Sequence, residues 1–274
     1  MSPLTPLIAL LALLLAGCGP QIGQLERGET GRVARVFNGD TLILDDGLRV
    51  FLAEVDAPRG EQAYARQAQA ELEALALHRN VLLAYGGAKR WVGRPRDDGS
   101  EPMQAALAHV FVQSEGGRWL WLQHALVARG AAFVRPRADN HARAGELLQL
   151  EAQARAAERG LWGQRSYRAL TVAAAARAAS AYADNCMRGD APYRLLEGRV
   201  SNVFVGERRA ALDFELRDDQ RFSAVLFGDG FAAWDGPPLE EFNGANVRLR
   251  GALGVYRDQP QLCFDHSSQI ELLR

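Results

Sequence analysis

The residues best placed to do chemistry are carboxylates sitting in turns. Asp40 closes the run Asn38-Gly39-Asp40, between a strand pattern through Val33, Val36 and Phe37 and a second one at Thr41-Leu42-Ile43-Leu44. Asp56 opens Asp56-Ala57-Pro58, shortly after the strand pattern Leu48-Arg49-Val50-Phe51-Leu52. Two readings of the pair are open. Each Asp could cap its own turn by bonding to nearby backbone. Brought together, the two side chains form an acidic cleft, and oxygen ligands of that kind suit a hard divalent cation. His78, His109, His124, His141 and His266 are scattered with no pair at metal-ligand spacing, so they read as solvated or packed. The chain has no Cys-x-x-Cys and no His-rich cluster, which argues against zinc or dithiol redox chemistry.

The elements that must position these side chains are mostly strands. Asp45-Asp46-Gly47 is a hairpin turn. Gln62 to His78 has helical spacing through Ala65, Ala68, Leu72, Leu75 and Ala76. Val81–Tyr85 is a strand, Gly86 to Glu101 a polar loop, and Ala106–Val112 another strand. Gly116-Gly117 turns the chain into Trp119–Leu122, and a short helix to Arg129 is closed by Gly130. Ala142 to Arg159 is a helix that stops at Gly160. The fold class expected is therefore α+β, mainly β with helices. A five-strand barrel spans 31–163, a bridge with a helix through Leu170–Ala183 spans 164–192, and a second β unit spans 193–274.

The chain has 274 residues, with 32 basic against 33 acidic side chains, so no global field draws in a polyanion. Any nucleic-acid contact must come from a local basic patch. Leu4 to Gly17 is almost wholly apolar, about 14 residues against the roughly 20 needed to span a bilayer. That is the length of a signal-peptide core, although no Lys or Arg precedes it. Its ending, Leu15-Ala16-Gly17-Cys18, resembles a bacterial lipobox. The resemblance implies lipidation of Cys18, an envelope location and a membrane contact through lipid. Gly19 at the next position points to the outer membrane, and residues 19–30 read as a tether. Cys186 and Cys263 then remain as an even pair in an oxidising compartment, either a disulfide or two buried thiols.

Five ordered segments carry a family resemblance. They are Val36-Phe37-Asn38-Gly39-Asp40-Thr41-Leu42, Leu48 to Pro58, Ala106 to Val112, Leu126 to Ala132, and Ala154 to Trp162. Together they resemble staphylococcal nuclease, the thermonucleases. The resemblance implies an OB-type barrel with packed helices and calcium-dependent phosphodiester hydrolysis of nucleic acid. It favours the acidic cleft, with Asp40, Asp56 and the Ala57 carbonyl as calcium ligands. The proposed base of the family falls on Arg59, and its two phosphate-holding arginines fall on Phe51 and Ala105. The calcium half is retained and the catalytic half is absent, so impaired or lost cleavage is expected. Arg49, Glu54, Glu61, Arg94 and Arg96 lie near enough in sequence to substitute, or are simply solvated.

The second unit offers strands at Leu195–Val200, Ala211–Leu216, Phe222–Phe227, Asn246–Leu253, Pro260–Phe264 and Gln269–Leu273. Their order resembles a second, OB-like barrel of the nucleic-acid-binding type. Arg208, Arg209, Arg248, Arg250, Phe222, Tyr256 and Phe264 could form a binding face, or the aromatics pack inward and the arginines meet solvent. A protein partner fits such a barrel equally well.

Overall fold

The computed structural model describes residues 22–92, 104–114, 116–187, 191–216 and 221–273. Cys18, Arg94 and Arg96 lie outside them.

The chain enters on a long strand, β1 (Glu26–Asn38), which begins inside the stretch expected to be a tether. Its first half pairs antiparallel with β5 (Asn80–Tyr85) and its second half with β2 (Thr41–Leu44). β2 pairs with β3 (Arg49–Leu52), which is followed by β4 (Val55–Asp56). β3 runs parallel to β7 (Gln104–Gln113), and β7 pairs antiparallel with β5, which closes a five-strand barrel. The barrel interior excludes water because period-two alternation puts Val33, Leu42, Val50, Leu82 and Val110 inside, all buried. β6 (Arg90–Val92) adds to β7 at a place where only a loop was expected, and β8 (Trp119–Trp121) adds further along it.

Three helices cover the barrel. α1 (Ala65–Ala76) buries Ala65, Ala68, Leu72, Leu75 and Ala76, spaced three and four apart as one apolar face requires. α2 (Leu122–Ala128) follows β8, and β9 (Phe133–Val134) then pairs back onto β4. α3 (Ala144–Ala156) completes the unit. Gly130 and Gly160 cross so closely that a Cβ on either would meet backbone atoms near 2.2 Å, and both adopt positive φ.

The bridge holds β10 (Leu170–Thr171) and α4 (Val172–Tyr182), the latter capped by the Thr171 hydroxyl accepting from the Ala174 amide. A second sheet follows, made of β11 (Tyr193–Arg199), β12 (Asn202–Val205), β13 (Arg209–Glu215), β14 (Arg221–Phe227), β15 (Asn246–Tyr256), β16 (Gln259–Phe264) and β17 (Ile270–Leu272). A single turn, α5 (Asp229–Ala232), follows β14. β12 had no counterpart in the expected strands. β11 pairs with β15 and β12 with β13, so the two behave as halves of one bent strand, as β1 does in the first unit. β14 lies parallel to β16, and β16 antiparallel to β15, again the pattern of the first barrel.

The two units meet over a buried seam. Phe133, Ala154, Leu161, Trp162 and Tyr167 pack with Leu195 of β11. Arg250 of β15, 1% exposed, places Nη1 2.6 Å from Glu151 Oε2 of α3, itself fully buried. The same guanidinium donates to the Val134 carbonyl and to Glu271. At the rim, the His141 and His266 rings stack at 3.9 Å. Cys186 and Cys263 form a disulfide with Cα atoms 5.8 Å apart, which ties the end of the bridge to β16.

Candidate functional site

Asp40 and Asp56 do share a cleft, and backbone geometry brings them there. The turn is made by Asn38, whose side chain accepts from the Asp40 amide, which leaves the Asp40 carboxylate to reach elsewhere. It accepts from the Ala57 amide at 2.9 Å, joining two turns that lie 17 residues apart. Gly39 permits this approach, because a Cβ there would lie 2.7 Å from the Ala57 Cβ and 2.8 Å from that of Ala68. Asp40 is 2% exposed, and its other oxygen accepts from the Thr41 hydroxyl.

The cleft also holds its own cation. Arg59 Nη2 lies 2.6 Å from Asp40 Oδ2 and 2.9 Å from Asp56 Oδ1. Arg135 Nη1 reaches Asp56 Oδ2 at 3.3 Å. Burial pushes the Asp40 carboxyl above its ordinary pKa, while Arg59 pulls it down and Asp56 adds to the rise. Burial works against the Arg59 charge, yet Asp40 and Asp56 outweigh it and hold the guanidinium above its usual value. Around these groups lies a small hollow of about 40 Å³, lined by Asp56, Pro58, Arg59, Arg135, Tyr193 and Arg194, so the second unit contributes to its wall.

These residues do not fit calcium. Three of the four carboxylate oxygens already accept hydrogen bonds from protein donors and the fourth, Asp56 Oδ1, is paired with the Arg59 guanidinium, whereas calcium takes six to eight oxygen ligands. A fixed positive charge stands between the two carboxylates. No group of three His, Cys, Asp or Glu side chains among the described residues has the arrangement to hold a metal.

The remaining family positions and the nearby substitutes among the described residues have surroundings of their own. Phe51 lies beside the turn, paired across β2 with Thr41. Ala105 is buried at 1% exposure on β7. Arg49 is engaged by the Phe37 ring, its guanidinium carbon 4.9 Å from the centroid, two residue pairs further along the strand. Glu54 is fully buried and points to the far side: its Oε1 lies 3.1 Å from His109 Nε2 and accepts from the Arg143 amide. Its φ of 62° turns the chain between β3 and β4 so that neighbouring residues face opposite ways. Glu61 is exposed. Arg135 and Arg194 had no local sequence signal, because their role at the cleft depends on contacts far along the chain.

In the second unit, Phe222 and Phe264 are core residues, Arg248 is paired with Glu197 and Glu271, and Arg250 is the buried seam residue. Tyr256 and Arg209 remain on the surface and border a groove of about 750 Å³ with Phe204, Arg221 and Arg257. Phe204 and Tyr256 are each 47% exposed. Arg209 lies 5.6 Å above the Phe204 ring and Arg257 5.3 Å above the Tyr256 ring.

A closed five-strand barrel of this strand order, covered by helices, is an OB-type domain. Residues 49–164 match the family described as staphylococcal nuclease homologue, so this chain carries a staphylococcal-nuclease-like domain; Asp40 lies just outside the matched span. Protein ParB of Escherichia coli is 28% identical over 141 residues, covering 48% of this chain and 71% of the relative. An uncharacterized endonuclease of Haemophilus influenzae is 28% identical over 137 residues, covering 48% of this chain and 66% of the relative.

Proposed function

We propose that this chain is an envelope-anchored, nuclease-derived protein that holds nucleic acid and cleaves it weakly or not at all. The observation that carries the reading is the composition of the cleft wall. Phosphodiester hydrolysis needs a carboxylate to activate water and cationic donors for the charge that builds on phosphorus oxygens. Phe51 and the buried Ala105 supply neither donor, and Arg59, always protonated, cannot take a proton from water. Of the two carboxylates nearby in sequence, Glu54 is tied to His109 and Arg143, and Glu61 stands exposed to solvent.

The aromatic and arginine groove of the second barrel supports nucleic-acid binding, since bases stack on such rings while guanidiniums meet phosphates. The strand order it shares with the first barrel supports an OB-like assignment for that unit. Anchoring rests on the lipobox at Cys18. No helix among the described residues is long and apolar enough to cross a membrane.

The test is a cleavage and binding assay on a labelled single-stranded oligonucleotide with calcium present. Cleavage should fall at least about a thousandfold below that of an active nuclease, given roughly a hundredfold or more for each missing donor. Binding should persist, weaken steeply with salt, and drop when Phe204 and Tyr256 are both changed to alanine. A normal nuclease rate sinks the reading, and so does an absence of binding.

A further inference from the structure

Two carboxylates in one cleft repel each other, and a buried one must find its compensating charge inside the protein. In a metal-dependent site that charge arrives from solution. Here it is part of the chain. We propose that Arg59 is the resident cation of this cleft, a tethered guanidinium in the place where a divalent ion would gather, so that the folded protein neither needs nor admits calcium there.

The geometry supports this at each contact. One nitrogen, Nη2, serves both acids, at 2.6 Å from Asp40 Oδ2 and 2.9 Å from Asp56 Oδ1, which is a bridging position. The Ala57 amide and the Thr41 hydroxyl saturate the rest of Asp40, and Arg135 takes the second oxygen of Asp56. A guanidinium suits such a post because it stays charged at every working pH and its planar fork holds several acceptors at once. Asp40, at 2% exposure, would otherwise be a buried and unpaired anion.

A consequence follows for ligands. Arg59 is 44% exposed and shares the hollow with Arg135 and Arg194, so an approaching phosphodiester meets guanidiniums rather than bare carboxylates. Its binding there requires no metal.

This inference deepens the reading of a nuclease-derived cleft. Its test reads metal binding directly, so a failure to bind nucleic acid leaves the outcome distinct. Calcium is titrated into the full chain by calorimetry, and thermal melts are recorded in EDTA and in millimolar calcium. Wild type should give no binding heat and the same Tm in both. Arg59→Gln should lower the Tm in EDTA by several degrees, and calcium should restore much of the loss, as any ligand specific to the native state does. Adding Asp40→Asn to that variant should remove the calcium response. Should Arg59→Gln fail to fold even in calcium, Arg59→Lys carries the test, with a smaller drop in EDTA and a smaller calcium rescue expected. Calcium binding to wild type that disappears in Asp56→Asn overturns the proposal. So does a folded Arg59→Gln, or Arg59→Lys in its stead, whose Tm matches wild type in both buffers.

Discussion

At the scale of single residues, the first unit separates two acids that stand close in sequence. Asp56 faces the cleft, while Glu54, two positions earlier, is inverted by its positive φ and buried against His109. Glu54 accepts from the His109 ring and the Arg143 amide, so it fastens the segment leading into α3 to the barrel. Removing it leaves the buried His109 ring and the part-buried Arg143 amide without this acceptor. Glu54→Ala should therefore cost about 3 kcal/mol of stability, measured by chemical denaturation, and Glu54→Gln distinctly less because one acceptor oxygen survives. Equal losses in the two variants would show that these hydrogen bonds contribute little. Asp40 and Asp56 are readable in the sequence because each sits in a turn bounded by strand patterns, and the structure brings the two into one cleft. The sequence could not reveal Arg59 as a bridge, because the same position fits an exposed arginine, and the inward turn depends on how close Gly39 brings Ala57 to Asp40.

At the scale of elements, hydrophobic periodicity located α1, α3, α4 and most strands. The short pieces escaped it. β6 spans three residues and β12 four, so neither shows a full alternation, and only their partners β7 and β13 define them. The arginines of β15 also escaped it. Alternation alone suggests a solvated Arg248 and Arg250, but docking against α3 buries the second completely. That docking makes a specific forecast. Glu151→Ala leaves Arg250 buried with its closest partner gone and only the partly exposed Glu271 to balance its charge, which should destabilise by about 3 kcal/mol. Replacing both residues with apolar side chains of similar volume, Glu151→Leu with Arg250→Met, should recover most of that loss. The check is a denaturant series on the two variants, and a double variant no better than the single one would count against this account of the seam.

For the whole molecule, the seam brings charges from both units face to face. His266 protonates below its ordinary 6.5, first because it is buried and then because His141 stacks on it, with Asp235 and Glu54 pulling the other way. A histidine with a depressed pKa binds fewer protons folded than unfolded, so stability is full above about 6.5 and falls as pH drops through and below that value. Thermal melts from pH 7.5 to 5 should show this decline, and His141→Asn should flatten part of it by removing a like charge. An unchanged slope in that variant would assign the effect to burial alone.

Both barrels also share a strand divided between two partners. In the first, β1 gives one half to β2 next door and the other to β5, with α1 intervening; in the second, β11 and β12 divide in the same way between β15 and β13. Neither barrel can be assembled from successive hairpins alone. The opening strand must wait, half paired, until a strand made much later returns to it, and the parallel contacts β3–β7 and β14–β16 form only after that return. Closure entropy is thus spent before the contacts that reward it exist, which makes this a slowly folding chain, and the slow step occurs twice.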